Sequence, residues 1–125
     1  MLGSFNIRPD IAVKDLARAK KFYGDVLGLK LIADNDEELV FQSGINKHNV
    51  YLSRYAGTNL ATYVSWDADD VDAAVETLKG KGVMFEHYDM PGMKLEGDVH
   101  VMDGMRAAWF KDPDGNVLCV SNDKR

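Results

Sequence analysis

Cysteine and proline are scarce in this chain, with one Cys and three Pro in 125 residues, and no apolar run is long. A single cysteine, Cys119, cannot close an internal disulfide, which excludes the disulfide-stapled scaffolds of small secreted domains. No stretch approaches the roughly 18 consecutive apolar residues that cross a bilayer, so a membrane is not an expected partner. The opening MLGSFNIRPD lacks the basic segment and apolar core of a secretion signal, and the cytoplasm is the expected compartment. Positive charge is also in short supply: 15 Lys and Arg stand against 20 Asp and Glu, for a formal charge of −5. Such a balance offers phosphate backbones no attraction, and nucleic acid is not an expected partner either.

What is present is 46% apolar, enough in a chain of this length for one core and too little for two ordinary domains. One domain is expected, built on a repeat. Leu16, Ala19, Phe22, Tyr23, Val26 and Leu27 keep to one helical face behind Asp15, which is placed to cap the helix. Val71, Ala74, Val75 and Leu78 do the same behind Asp70. Strand-like stretches precede the helices at Ile7 to Val13 and Ala61 to Asp67, and Gly28 and Gly82 end them. Three further strands follow in each half, at 29–33, 38–43 and 48–54, then at 83–88, 105–111 and 116–121. Both halves therefore read β-α-β-β-β, an α+β plan used twice, in modules 5–56 and 60–122. The extra length of the second half falls in Tyr88 to Asp98, where Pro91, Gly92 and Gly97 mark a loop. Loops of that length in small domains are often functional, and this one is expected to be a mobile flap.

The last strands are written FKDPDGNVLCV. Asp112-Pro113-Asp114-Gly115 reads as a turn, because Pro presets φ and Gly tolerates the positive φ that follows. Alternation then sets Val117 and Cys119 on one face and Leu118 and Val120 on the other. A lone Cys on a strand is more often a small buried hydrophobe than a nucleophile, and no His or acid adjoins this one in sequence.

With IAVKDLARAKKFYGDVLGL, DADDVDAAVETLKGKGVMF and AAWFKDPDGNVLCV in this order, the chain resembles the vicinal oxygen chelate superfamily. That group includes glyoxalase I, bleomycin-resistance proteins and extradiol dioxygenases, and the likeness covers nearly the whole chain. It implies paired βαβββ modules, each an open half-barrel, that together enclose a cavity, and at this length a homodimer. In metal-using members the first and last strands of each module supply the ligands, and the corresponding positions here are Arg8, Tyr51, Tyr63 and Cys119. None is His, Asp or Glu. Guanidinium has no lone pair to offer, and phenols with a pKa near 10 are reluctant ligands, so no metal and no other cofactor is expected.

Those four residues suit an organic ligand instead, with rings to stack, hydroxyls to hydrogen-bond and one cation for an anionic group. Alternation adds Asp10, Ser53 and Ser65 to their faces, and Trp109 rather than Phe110 is assigned to the cavity. The plainer alternative is a decayed site in which these side chains only fill space, although Leu and Val are the usual fillers. His48, His87 and His100 match no ligand position and read by default as scattered surface or strand residues. His100, Met90 and Met93 have the alternative of reaching over the cavity mouth, where Met adapts to an apolar ligand. The acidic runs at 34–38 and 67–70 lack the Gly and final Glu of a calcium loop and read as a solvated turn and a helix cap.

The expected function is metal-independent binding of an aromatic or largely apolar small molecule, of the bleomycin-resistance type, in a dimeric cavity. The alternatives are a glyoxalase-like lyase or isomerase, or a dioxygenase-related enzyme, using Tyr, Arg and Asp10, and an interaction module whose pocket is lost.

Overall fold

The computed structural model describes residues 1–123. They fall into two compact units, Met1–Thr58 and a second that begins at Asn59, each a sheet carrying one helix.

The first unit contains β1 (Asp10–Val13), α1 (Leu16–Lys20), β2 (Lys30–Asp34), β3 (Glu38–Ser43) and β4 (Asn46–Leu52). Its strands lie in the order β1-β4-β3-β2, with β1 parallel to β4. Asp15 caps α1 as expected, its carboxylate accepting the Arg18 amide at 3.0 Å. Two boundaries differ from expectation. The strand expected from Ile7 starts only at Asp10, because Pro9 has no N–H to give to a ladder; its carbonyl still accepts the Asn49 amide at 3.0 Å. The helix expected through Leu27 is α-helical for five residues, and Lys21–Val26 then widens into a π segment, with the Leu27 amide reaching back to the Phe22 carbonyl. Tyr23 in that segment is fully buried, its ring 6.0 Å from those of Phe41 and His48. Ile11, Val13, Leu39 and Val50 are buried on the same side of the sheet.

The second unit contains β5 (Thr62–Asp67), α2 (Val71–Gly80), β6 (Phe85–Glu86), β7 (Lys94–Glu96), β8 (Val99–Met102), β9 (Met105–Lys111) and β10 (Val117–Ser121). Its order is β5-β10-β9-β8-β7, with β6 also on β9 and β5 parallel to β10. Asp70 caps α2 through the Ala73 amide at 3.0 Å. Val71 and Val75 of α2 pack on Val99, Ala108 and Val120, with Trp66 and Phe85 against the cluster.

Three strands were expected after α2 and there are five. Phe85 and Glu86 oppose Phe110 and Trp109, while His100, Val101 and Met102 oppose Ala107, Arg106 and Met105. So β6 and β8 share one edge of β9, and the chain between them is an excursion from a line that β2 follows unbroken in the first unit. Its neck is closed twice. His87 Nε2 lies 2.7 Å from Asp98 Oδ1, and the Tyr88 amide donates to His100 Nε2 at 2.9 Å. The bare loop expected over Tyr88 to Asp98 is corrected accordingly: Lys94–Glu96 pairs with β8, and Lys79 holds Asp98 at 2.9 Å. Arg106 grips Asp72 of α2 at 2.8 and 2.9 Å and Glu96 of β7 at 2.9 Å.

The expected turn before β10 forms, with the Gly115 amide on the Asp112 carbonyl at 3.0 Å and Gly115 at φ 88°. The buried Asp112 carboxylate also accepts from the amides of Asp114 and Asn116 at 2.9 Å and from Asn116 Nδ2 at 2.8 Å. No helix among the described residues is long and apolar enough to cross a membrane.

Candidate functional site

In the first unit, strand alternation sends Ile11, Val13, Leu39 and Val50 toward α1 and leaves Asp10, Ala12, Asn49, Tyr51, Glu38 and Val40 on the other face. Asp10 and Asn49 are direct partners across β1 and β4, and Asn49 Nδ2 donates to Asp10 Oδ1 at 2.8 Å. Arg8 Nη1 donates to Asn49 Oδ1 at 3.2 Å, so Asn49 links the cation to the carboxylate. Asp10 and Tyr51, which is 38% exposed, line an open depression of about 820 Å³ with Asn35, Glu37, Glu38 and Leu52. Carboxylates outnumber cations in that lining. Its rim is the turn expected at 34–38, in which Asn35 Oδ1 accepts the Glu37 and Glu38 amides at 2.9 and 3.0 Å. Ser53 stands apart: β4 stops at Leu52, and Ser53 Oγ accepts the Tyr55 amide at 3.1 Å beside a smaller depression of about 300 Å³.

In the second unit the face turned from α2 carries Tyr63 and Ser65 on β5, Cys119 on β10, Trp109 on β9 and His100 on β8. Ser65, Cys119 and Trp109 are consecutive cross-strand partners, and Ala107, which shares the face of Trp109, opposes His100. Phe110 takes the helix side, 6.4 Å from the ring of Trp66, which settles the side of Trp109. Trp109 Nε1 donates to Thr62 Oγ1 at 3.1 Å. The rings of Tyr88, His100 and Trp109 form one cluster, with centroids 5.9, 5.7 and 4.9 Å apart. Cys119 is 4% exposed, and burial pushes its thiol up to about 11 against the opposing hydrogen bonds from Ser65 and the Ala108 backbone. A thiol so placed is neutral at pH 7 and a poor nucleophile. Met90 and Met93 close the turn of the excursion, the Met93 amide donating to the Met90 carbonyl at 3.1 Å, and Gly92 between them comes up against Met102.

Two histidines take the strand rather than the surface half of the default reading: His48 on β4 is 4% and His100 on β8 1% exposed. His48 alternates with the inward Val50, and that signal was present in the sequence. His100 lies on β8, a strand the sequence pattern did not reveal, and its burial had no such signal. Asn49 was missed as well, although it stands two residues before Tyr51 on the same face. The ladders also correct a correspondence. With the capping residues Asp15 and Asp70 aligned, Asp10 matches Ser65; the partner of Asp10 is Asn49 and that of Ser65 is Cys119. Asn49, rather than Tyr51, therefore stands where Cys119 stands.

The donor set does not fit the divalent ion that metal-using relatives hold. Among the described residues no group of three or more His, Cys, Asp or Glu side chains is placed to hold a metal ion, and Arg8, which has no lone pair to offer, is engaged with Asn49.

The profile of the Glyoxalase/Bleomycin resistance protein/Dioxygenase superfamily matches residues 6–120, and the chain belongs to that superfamily. Solved structures agree on the fold. A glyoxalase/bleomycin resistance protein from Streptomyces sp. CB03234 is 26% identical, with 89% of this chain and 94% of that one covered and a TM-score of 0.62. An antibiotic binding protein from the same organism is 24% identical over 94% and 95% of the two chains, with a TM-score of 0.64. A lactoylglutathione lyase from Agrobacterium tumefaciens is 19% identical over 94% and 92%, with a TM-score of 0.70.

Proposed function

We propose that the protein binds a small aromatic or largely apolar molecule without a metal or other cofactor, in the manner of the bleomycin-resistance branch of its superfamily. The observation that carries this reading is the second unit's face. Where a metal-using relative needs an ionised ligand, Cys119 is a buried neutral thiol, and beside it Trp109, His100 and Tyr88 offer ring surface. Tyr63, Ser65, Met90 and Met93 are assigned to this face, and Arg8, Asp10, Tyr51 and Ser53 are assigned to ligand binding on the first module. The likeness to an antibiotic binding protein supports a carrier or sequestering role. The lone reduced thiol suits the cytoplasm.

A homodimer belongs to this reading. Leu2, Phe5 and Ile7 are 74, 60 and 86% exposed, and β1, β2, β5 and β7 are edges of their sheets, all of which a second copy is suited to cover. Light scattering is expected to give twice the 13.9 kDa chain mass at micromolar concentration; a monomer mass throughout would count against it.

The enzymatic alternative draws on one observation, the exposed carboxylate of Asp10, which lines the 820 Å³ depression together with Tyr51. A screen of aromatic compounds by tryptophan fluorescence and thermal shift, followed by mass spectrometry of the recovered ligand, separates the two. Binding with unchanged recovery supports the carrier; a product whose formation stops in Asp10→Asn supports the enzyme. Elemental analysis of the dialysed protein checks the other half: about one zinc, iron, nickel or manganese per chain, released by Cys119→Ser, would defeat the metal-free reading.

A further inference from the structure

His100 has one nitrogen that the fold uses and one that it does not. The Tyr88 amide donates to Nε2 at 2.9 Å, so Nε2 is the acceptor of a neutral imidazole and the proton sits on Nδ1. The Nδ1–H is buried and has no protein partner. An orphaned buried donor is costly, and folded proteins keep few of them. His48 in the first unit also has an orphan, Nε2, but its ring lies on the helix side of the sheet between Tyr23 and Phe41. His100 lies on the opposite kind of face, the one turned from the helix, against Trp109 and Tyr88.

We propose that His100, Tyr88 and Trp109 form a subsite for an uncharged planar aromatic compound bearing a hydrogen-bond acceptor, and that the Nδ1–H of His100 donates to that acceptor. The proposal rests on the small-molecule reading above and gives it a ligand class. The rings supply aromatic surface, Trp109 and His100 meeting edge to face at 4.9 Å. Formal charge at this end of the face is cancelled internally, because Lys111 Nζ lies 3.1 Å from Glu86 Oε1 and Glu86 is the cross-strand partner of Trp109. A neutral acceptor such as an aryl ketone fits the donor. On this proposal the ligand enters past Tyr88. The Tyr88 residue is 36% exposed, and a χ1 rotation moves its ring while its amide stays on His100.

The rival explanation is that His100 serves only to hold the Tyr88 amide and close the neck of the excursion. A matched pair of probes separates the two: 1-acetonaphthone, which has the acceptor, and 1-ethylnaphthalene, which replaces it with a methylene. The wild-type protein is expected to bind the ketone about tenfold more tightly than the hydrocarbon, and the ratio is expected to fall to about one in His100→Phe. In long-range proton–nitrogen spectra of the wild type, His100 is expected as the Nδ1–H tautomer, with that resonance moved by the ketone and not by the hydrocarbon. Equal affinities with an unmoved Nδ1 resonance overturn the proposal and leave the small-molecule reading standing. If neither probe binds at about 1 mM while other compounds in the screen do, this proposal alone falls; if the whole screen is blank, both fall. Should His100→Phe not fold, the wild-type ratio and the Nδ1 resonance decide by themselves.

Discussion

In the first unit Asn49 pairs with Asp10 across two parallel strands and keeps a hydrogen-bonded polar surface open to solvent; at the matching place in the second, Cys119 pairs with Ser65 and is buried as a neutral thiol. Around Asn49 the face is carboxylate-rich and shallow, while around Cys119 it is ringed by Trp109, His100 and Tyr88. The same strand order underlies both, so topology does not make the difference. Two additions do. The excursion between β6 and β8 brings Tyr88 and His100 to the second face, and the turn before β10 is tied from within by Asp112. One backbone plan thus yields a carboxylate-rich face and one that sets aromatic rings beside a buried thiol, and the second has the features that stack on an organic ligand.

The turn is the sharpest place to break the comparison. Asp112 and Asn116 are 5% and 0% exposed and share three of the carboxylate's hydrogen bonds with Asp114. Asp112→Ala leaves two amides and one side-chain N–H unmatched in a buried site, and is expected to cost about 3 kcal/mol or more in denaturant unfolding. The corresponding turn of the first unit joins β3 to β4 through Gly44 and Ile45, and Ile45 is 95% exposed. Ile45→Ser is expected to stay within about 0.5 kcal/mol of wild type. Equal costs at the two turns would refute the assignment of the buried knot to the second unit alone.

Next in size is thiol reactivity. Burial lifts Cys119 to about 11, so its thiolate is scarce at pH 8. Alkylation by iodoacetamide at that pH is expected to run about 100-fold slower than for a free cysteine, whose pKa is about 8.5. Asn49→Cys, in a Cys119→Ser background, places a thiol at the matching position of the open face. It is expected to react within about tenfold of the free rate. A Cys119 that reacts as fast as that control would show the second face to be wet.

Acid separates the units through His48. Burial lowers its pKa below the ordinary 6.5, so the folded protein binds this proton less readily than the unfolded chain. The contribution is intact above 6.5 and is lost as pH falls below it toward the lowered folded value, by up to about 1.4 kcal/mol per pH unit. Unfolding curves between about pH 7.5 and 5.5 are expected to show that loss in the wild type and a smaller slope in His48→Phe, which keeps a ring against Tyr23 and Phe41. Identical slopes would remove His48 as the cause.

How much of this was legible in the sequence follows from what kind of signal each feature leaves. The two modules were readable because a capping Asp ahead of a 3.6-residue apolar period is local, and both caps form as read. Cys119 and Val117 on one face followed from alternation along a strand whose start was marked by Asp112-Pro113-Asp114-Gly115, while the pairing of Cys119 with Trp109 is seen only in the ladder. The π segment was not readable, since Leu16 to Leu27 has an ordinary helical period and the widening depends on how Tyr23 packs. Nor were β7 and β8, because Lys94-Leu95-Glu96 is too short and too charged to announce a strand and acquires one only by pairing. His100 went with them, which is why the residue with the orphaned donor was the hardest to find. Asn49 does leave a local signal, standing two residues from Tyr51 on the same strand face.

The smallest expected effect concerns the excursion itself, the feature the first unit lacks. Asp98 joins His87 and Lys79 at 2.7 and 2.9 Å, and these bonds, His87 first, hold its carboxyl below the usual 3.8. The neck is therefore held at pH values above 3.8 and is released as pH falls through the lowered folded value. Exposed ion pairs contribute little to global stability, so Asp98→Asn is expected to change unfolding by no more than about 0.5 kcal/mol. Local opening is another matter, because the His87–Asp98 contact closes the neck beside the Tyr88 amide. Hydrogen exchange of the Tyr88 amide is expected to quicken about tenfold in Asp98→Asn at neutral pH, while the amides of β2, which has no excursion, keep their wild-type rates. An unchanged Tyr88 rate would mean that the His100 acceptor alone closes the neck. A β2 that quickens with it would mean that the substitution loosens the whole chain, and the excursion would lose its claim to be a separately mobile part of the second face.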